Sequence, residues 1–308
     1  MKFEAYDLRF NALLQKNSIL ECLTSLAVWA EGPVWLPRED AVVFSDVKAN
    51  RMYRWERSGK VAVFREQSNY ANGNTLDRQG RLISCEHGRR GISRTDTDGV
   101  ARILVDRFDG KRFNSPNDVV VKSDGSIWFS DPPYGILGDV EGYKSESQIV
   151  GCYVYRFDPS SDEISAVATD VQRPNGLAFS PDESRLYVAD MSIVDFPTQG
   201  RRHLAVYEVV DGQRLVNPRV LASITPGIPD GFRVDRAGHL FCSCEDGILV
   251  LDSDGKRLGK IIVPERVSNC TFGGPNQDEL FITATTSLYR VCLATQGCQY
   301  SHLLNERN

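Results

Sequence analysis

The chain repeats itself, and the repeat limits what it can fold into more than any other feature. From Asn72, Asn117 and Asp230 one plan recurs: a polar residue, a short run of mostly apolar or alternating positions, a turn closed by Gly80, Gly125 or Gly238, and a second apolar run. The segment "NGLAFSPDESRLYVAD" from Asn175 follows it with a Ser-Pro-Asp-Glu turn, and "EGPVWLPREDAVVFSD" from Glu31 and "CTFGGPNQDELFITAT" from Cys270 are looser copies, making six units. A fixed period of this kind marks a repeat architecture, in which neighbouring units bury one another's apolar faces.

Each unit reads as a short strand, a tight turn and a second strand rich in Val, Ile, Phe, Tyr and Trp, often with a third such as "RMYRW" or "CYVYRF". Successive units start about 40 to just under 60 residues apart, close to the roughly 40 to 50 of propeller blades once loop insertions are allowed for. The fold expected is therefore all-β, a six-bladed β-propeller, with residues 1–308 as one domain. Residues 1–30 form an N-terminal extension, in which 19–29 alternate loosely and are expected to supply the strand that closes the last blade. The helix-like stretch "DLRFNALLQ" stands alone, so an α/β fold lacks the crossover helices it needs.

With 36 basic against 41 acidic residues and a net charge of −5, no basic run suits nucleic acid. Nor do about 18 uncharged apolar residues run together as a membrane-spanning helix requires. The amino terminus lacks the apolar stretch of a secretory signal. The eight cysteines are scattered without a CxxC pair, which suggests free thiols in a reducing, cytoplasmic setting. The expected partner is a small molecule, bound by a monomer or homodimer.

In a propeller the first strand of each blade lines the central channel, so residues that begin those strands converge at one mouth. Glu31, Asn117, Asn175 and Asp230 are distant in sequence but equivalent in the repeat. Two carboxylates and two amides gathered without a counter-charge would repel and lack partners. One bound divalent cation resolves this, and an all-oxygen donor set suits Ca2+ first, with Mg2+, Mn2+ and Zn2+ as alternatives. The competing explanation for any one of these residues is an ordinary turn position satisfying backbone donors.

The motifs "EGPVW", "SPNDVVV", "RPNGLAFSPD", "PDGFRVD" and "CTFGG", in this order, resemble those of the regucalcin and gluconolactonase family over most of the chain. The resemblance implies a six-bladed propeller with one divalent cation at the channel mouth, hydrolysing sugar-acid lactones such as D-glucono-1,5-lactone. It implies Glu31, Asn175 and Asp230 as metal ligands, Asn117 as a fourth ligand or a substrate contact, and Asp230 as the general base. The animal branch carries Arg two residues before the Asn of "SPND", where this chain has Ser115; the "SPND" form is more like the bacterial gluconolactonase branch. Lys111 and Arg112 are nearby substitutes for that Arg.

Further candidates for substrate binding are Ser115, Arg112, His87 in "SCEHGRR", Tyr134 in the insertion opened by "DPPYGI", and Asn72 and Asn74 at the corresponding place in the second unit. Asp131 and Asp190, with Asp46, end second strands that run back toward the mouth and are expected to support the ligands from behind. No GxSxG elbow, P-loop or dinucleotide fingerprint is present. Alternative functions are organophosphate hydrolysis by the same cation, or a propeller that binds calcium or a partner without catalysis.

Overall fold

In the computed structural model, which describes residues 2–298, the repeated turn glycines Gly80, Gly125 and Gly238 have φ of 77°, 92° and 86°. This left-handed region strains a side chain and explains glycine at that place. Each turn is closed by a backbone hydrogen bond to the residue three earlier, from Gly80 to Asp77, Gly125 to Lys122 and Gly238 to Asp235. In the fourth unit Glu183 takes the same place with φ 56°, bonded to Ser180.

These turns join the first two strands of antiparallel sheets, and six sheets of four or five strands surround one channel as the blades of a β-propeller. From the channel outward, blade one is Ala30–Leu36, Ala41–Asp46, Arg51–Glu56 and Val61–Glu66, and blade two is Ala71–Leu76, Leu82–Glu86, Gly91–Thr95 and Ala101–Val105. Blade three comprises Val119–Val121, Ile127–Ser130, Val154–Asp158 and Glu163–Ala168; blade four comprises Pro174–Phe179, Arg185–Asp190, His203–Val210 and Arg214–Ser223. Blade five begins with Phe232–Val234, Leu240–Cys244, Gly247–Leu251 and Arg257–Ile262 and gains Phe3–Ala5 as a fifth strand. Blade six is Val267–Gly273, Glu279–Ala284 and Ser287–Cys292, completed on the outside by Glu21–Ser25.

The N-terminal segment thus links the last two blades. Cys22 lies opposite Tyr289 and Ser25 opposite Ser287, so an early strand completes the last blade. Between the two N-terminal strands the helix-like stretch forms a 3-10 helix, Leu8–Leu13, whose Phe10 is buried among residues of blades five and six. The domain expected over 1–308 includes residue 1 and residues 299–308, which lie outside the described residues.

Large side chains lock adjacent blades together, as expected where sheets pack face to face. Trp35 of blade one stacks on Phe281 of blade six with centroids 5.6 Å apart and planes 11° apart. Trp128 meets Phe179 edge-on at 5.3 Å between blades three and four, and Phe241 meets Phe272 at 5.1 Å between five and six. All eight cysteines are free, five of them buried. No helix among the described residues is long and apolar enough to cross a membrane.

Candidate functional site at the channel mouth

Glu31, Asn72, Asn175 and Ser268, each second in an innermost strand, and Asn117 and Asp230, each two residues before one, lie at one end of the channel and are all buried. The strand register slips around this point, between Glu31 and Val34, Ala71 and Asn74, Pro174 and Leu177, and Val267 and Asn269. Such bulges re-aim a side chain out of the alternating pattern. The blades meet closely just beyond them: the Gly73 N–H donates to the Asn117 carbonyl at 2.8 Å, Gly176 to Asp230 at 3.2 Å and Gly231 to Ser268 at 2.7 Å. A Cβ on Gly32, Gly73 or Gly176 would lie 2.0, 2.5 or 2.3 Å from the carbonyl oxygen of Asn72, Asn117 or Asp230. Close approach of neighbouring blades is therefore why Glu31, Asn72, Asn175 and Asp230 are each followed by glycine. Blade three has Asp118 instead, and its carboxylate pairs at 3.3 Å with Arg233 of blade five, both side chains buried.

The segments that enter the ring are held by the carboxylates that end the second strands. Asp46 accepts the Val28 and Trp29 N–H groups at 3.0 Å. Asp131 accepts those of Asn114 and Ser115 at 2.9 and 2.8 Å, and Asp190 those of Gln172 and Arg173 at 3.1 and 3.3 Å. In all three blades these donors lie three and two residues before the ring residue, so Asp131 and Asp190 support Asn117 and Asn175 through the backbone. Burial pushes the Asp131 carboxyl up to about 7, against the two N–H groups that pull it down.

Within the ring the two carboxyls oppose one another. Burial, and after it the Asp230 charge, raises Glu31 well above the usual carboxylate range, against the Gly32 N–H at 2.9 Å and Asn269 Nδ2 at 3.4 Å. Asp230 is pushed up to about 7, first by burial; Arg266 draws it down, while Asp118 and Glu141 push it up. The Asp230 N–H is fixed by Ser243 Oγ at 2.9 Å, which orients the residue without occupying its carboxyl. Asn175 donates through Nδ2 to Met191 Sδ at 2.8 Å, and the Asn117 amide makes no hydrogen bond among the described residues. Ser268 adds no ligand, because its hydroxyl donates to the Ala30 carbonyl at 2.6 Å. Two buried carboxyls and two amides, without a Lys or Arg hydrogen-bonded to either carboxyl among the described residues, make a donor set that fits a hard divalent cation. No group of three or more His, Cys, Asp or Glu suited to a metal occurs among those residues.

Residues 29–286 match the family described as SMP-30/Gluconolactonase/LRE-like region. The chain belongs to this family. It is 32% identical to the gluconolactonase of Zymomonas mobilis over 96% of its own length and 87% of the relative's. It is 30% identical to the pentonolactonase XacC of Haloferax volcanii, covering 82% of this chain and 80% of that protein. Among solved structures, the gluconolactonase of Xanthomonas campestris superimposes with a TM-score of 0.89 at 40% identity, covering 95% of both chains.

On this family framework the remaining candidates take different places. His87 is buried beside the ring, with Nδ1 2.8 Å from the Glu141 carbonyl and Nε2 3.4 Å from Asn72 Nδ2. Only the tautomer protonated at Nδ1 serves both partners, and burial lowers the ring to about 4, so it is neutral. Tyr134 lies close enough to Asp230 to feel its charge, and its buried hydroxyl has no hydrogen-bond partner among the described residues. Three expected substrate contacts are committed elsewhere. The Ser115 hydroxyl donates to the Pro132 carbonyl at 2.7 Å and accepts from Gly135 N–H at 2.9 Å, so it ties down the insertion. Arg112 Nη2 is bonded to the Arg89 carbonyl. Asn74 Nδ2 reaches the Gly32 and Asn72 carbonyls at 2.8 and 2.9 Å, while its Oδ1 accepts from Ser84.

Sequence reasoning missed the Asp118–Arg233 pair beneath the ring and the group of Trp29, Lys48, Glu141 and Arg266 at its rim. The missing signal for Arg266 was its place two residues before Ser268, once the sixth unit is aligned from Val267 rather than Cys270. Cavities of about 370 and 810 Å³ open at the other ends of the inner strands, beside Lys122 and Glu183 and beside Arg38 and Phe64. Neither is lined by a residue of the ring.

Proposed function

We propose that the chain hydrolyses sugar-acid lactones such as D-glucono-1,5-lactone to the open-chain acids, with one divalent cation, Ca2+ first among candidates, held by Glu31, Asn117, Asn175 and Asp230. The observation that carries this reading is the pair of buried, mutually opposed carboxyls of Glu31 and Asp230 within a ring of amides. The kinship with gluconolactonases and a pentonolactonase supports the substrate class.

When bound, the cation supplies a Lewis acid for the charge that develops on the lactone carbonyl oxygen. Asp230 is placed to take a proton from the attacking water, its position fixed by Ser243 Oγ. Glu31 is held by Gly32 N–H and Asn269 and stays aimed into the channel. Asn117, with its amide uncommitted, orients the carbonyl or the water. Opening the ring leaves an alkoxide that receives the proton Asp230 took from the water, which returns the carboxylate; Tyr134, kept protonated by burial and near Asp230, is positioned to hydrogen-bond to that oxygen. Neutral His87 holds Asn72 and the Glu141 segment in place rather than exchanging protons itself.

The test is acid release from D-glucono-1,5-lactone and pentonolactones, followed above the spontaneous rate by titration at constant pH. Hydrolysis is expected to stop on chelation, return with added Ca2+, and fall at least a hundredfold in Asp230→Asn, in the range of a lost general base, about 10²–10⁴. Hydrolysis that ignored both chelation and Asp230→Asn would overturn the proposal.

A further inference from the structure

A second ring of residues lies above the first. The carbonyl of the residue two positions before the ring residue accepts an N–H from the end of the second strand: Val47 to Trp29 at 3.1 Å, His87 to Tyr70 at 3.2 Å, Met191 to Arg173 at 3.2 Å and Thr285 to Arg266 at 3.0 Å. Trp29, Tyr70, Arg173 and Arg266 are thus structurally equivalent, and two residues of extended chain place them about 7 Å outward from the ring. That is the order of length of a six-carbon sugar acid from its carbonyl end to its far end.

The two arginines of this outer ring differ. Arg173 is committed to an ion pair with Asp195 and lies 4.9 Å over Phe196. Arg266 is exposed, and its guanidinium makes no ion pair or hydrogen bond among the described residues; its charge lies 5.8 Å over the half-buried Trp29 ring and within electrostatic reach of Asp230. Lys48 lies 4.7 Å over the same indole and holds Glu141 at 3.5 Å, so that carboxylate is already countered. The edge therefore offers a flat aromatic face beside a guanidinium with its donors uncommitted, a fork that matches the paired oxygens of a carboxylate or phosphate.

We propose that Arg266, beside Trp29, is a specificity-determining residue that binds an acidic substituent, a carboxylate or phosphate, at the end of a sugar lactone remote from its reacting carbonyl. Acid-bearing lactones are then preferred over neutral ones. This rests on the lactonase reading, with the reacting carbonyl at the Glu31–Asp230 ring. The acidic substituent takes no part in bond making and stays on the product.

The experiment compares kcat/KM for D-glucono-1,5-lactone, a glucarolactone bearing a terminal carboxylate and 6-phosphogluconolactone, using the whole protein and its Arg266→Gln and Arg266→Lys variants. The wild type should prefer one or both acidic lactones. Arg266→Gln should reduce that preference about tenfold, the discrimination expected from one charge-assisted contact at an exposed site. Arg266→Lys should retain part of it, and added salt should reduce it in the wild type. Which acidic lactone loses more in Arg266→Gln identifies carboxylate or phosphate as the group bound. In parallel, calorimetry should show glucarate binding more tightly than gluconate, with the difference removed in Arg266→Gln. Hydrolysis of gluconolactone without preference for either acidic lactone, or a preference unchanged in Arg266→Gln, overturns the assignment. If no lactone is hydrolysed the lactonase reading fails, and calorimetry still decides whether Arg266 binds acids.

Discussion

His87 offers a direct measure of how the insertion is fastened over the channel mouth. Its ring is buried and neutral, held by a bond to the Glu141 carbonyl, and its protonation is displaced from 6.5 to about 4 by burial. Because the folded protein binds this proton less readily than the unfolded chain, His87 favours the fold fully above pH 6.5. The advantage declines as the pH falls from 6.5 to 4. A shift of this size corresponds to about 3 kcal/mol. Asp131 and Asp230 act in the opposite direction: each is raised to about 7, so each favours the fold at low pH and loses that advantage as the pH rises from about 4 toward 7. The overall pH profile therefore hides His87, but the difference between wild type and His87→Asn isolates it. Asparagine keeps a donor near the Nδ1 position without a titrating ring. In urea unfolding, His87→Asn should be less stable than wild type by a constant amount above pH 7. That gap should shrink by about 3 kcal/mol between pH 7 and pH 4. A gap that stayed constant over this range, or an imidazole NMR titration assigned to His87 near 6.5, would refute a buried neutral latch.

Three other variants follow from the ring. Gly176→Ala places a Cβ 2.3 Å from the Asp230 carbonyl oxygen; it should destabilise the protein by about 1–3 kcal/mol and lower kcat by moving Asp230, read by urea unfolding and lactone turnover together. Asn117→Ala should remove activity with little change in unfolding midpoint, whereas Asn74→Ala, which strips the Gly32 and Asn72 carbonyls of a buried donor, should cost about 1–3 kcal/mol of stability.

The ring residues were legible because repetition converts distance along the chain into equivalence around an axis. Glu31, Asn117, Asn175 and Asp230 each lie at or just before the start of an inner strand, and no partner needs to be known to infer that they meet. Asn74 shows the limit. It lies two residues beyond Asn72, so regular alternation puts both in the channel, but the register slip between Ala71 and Asn74 turns its amide toward blade one. The partners of Ser115 and Arg112 were illegible for a related reason: whether a polar side chain faces a substrate or a carbonyl depends on which loop folds over it, and that loop comes from elsewhere in the chain.

By itself, the sequence determined the number of blades, the turns that shape them and the residues that begin the inner strands, because periodicity and turn chemistry are local properties. Only the tertiary structure decided what these residues face. Asp118 meets Arg233, Arg266 meets Trp29, and glycine follows ring residues because the next blade's carbonyl leaves no room for a Cβ. These contacts join different blades, and the distances that select them exist only once the propeller has closed.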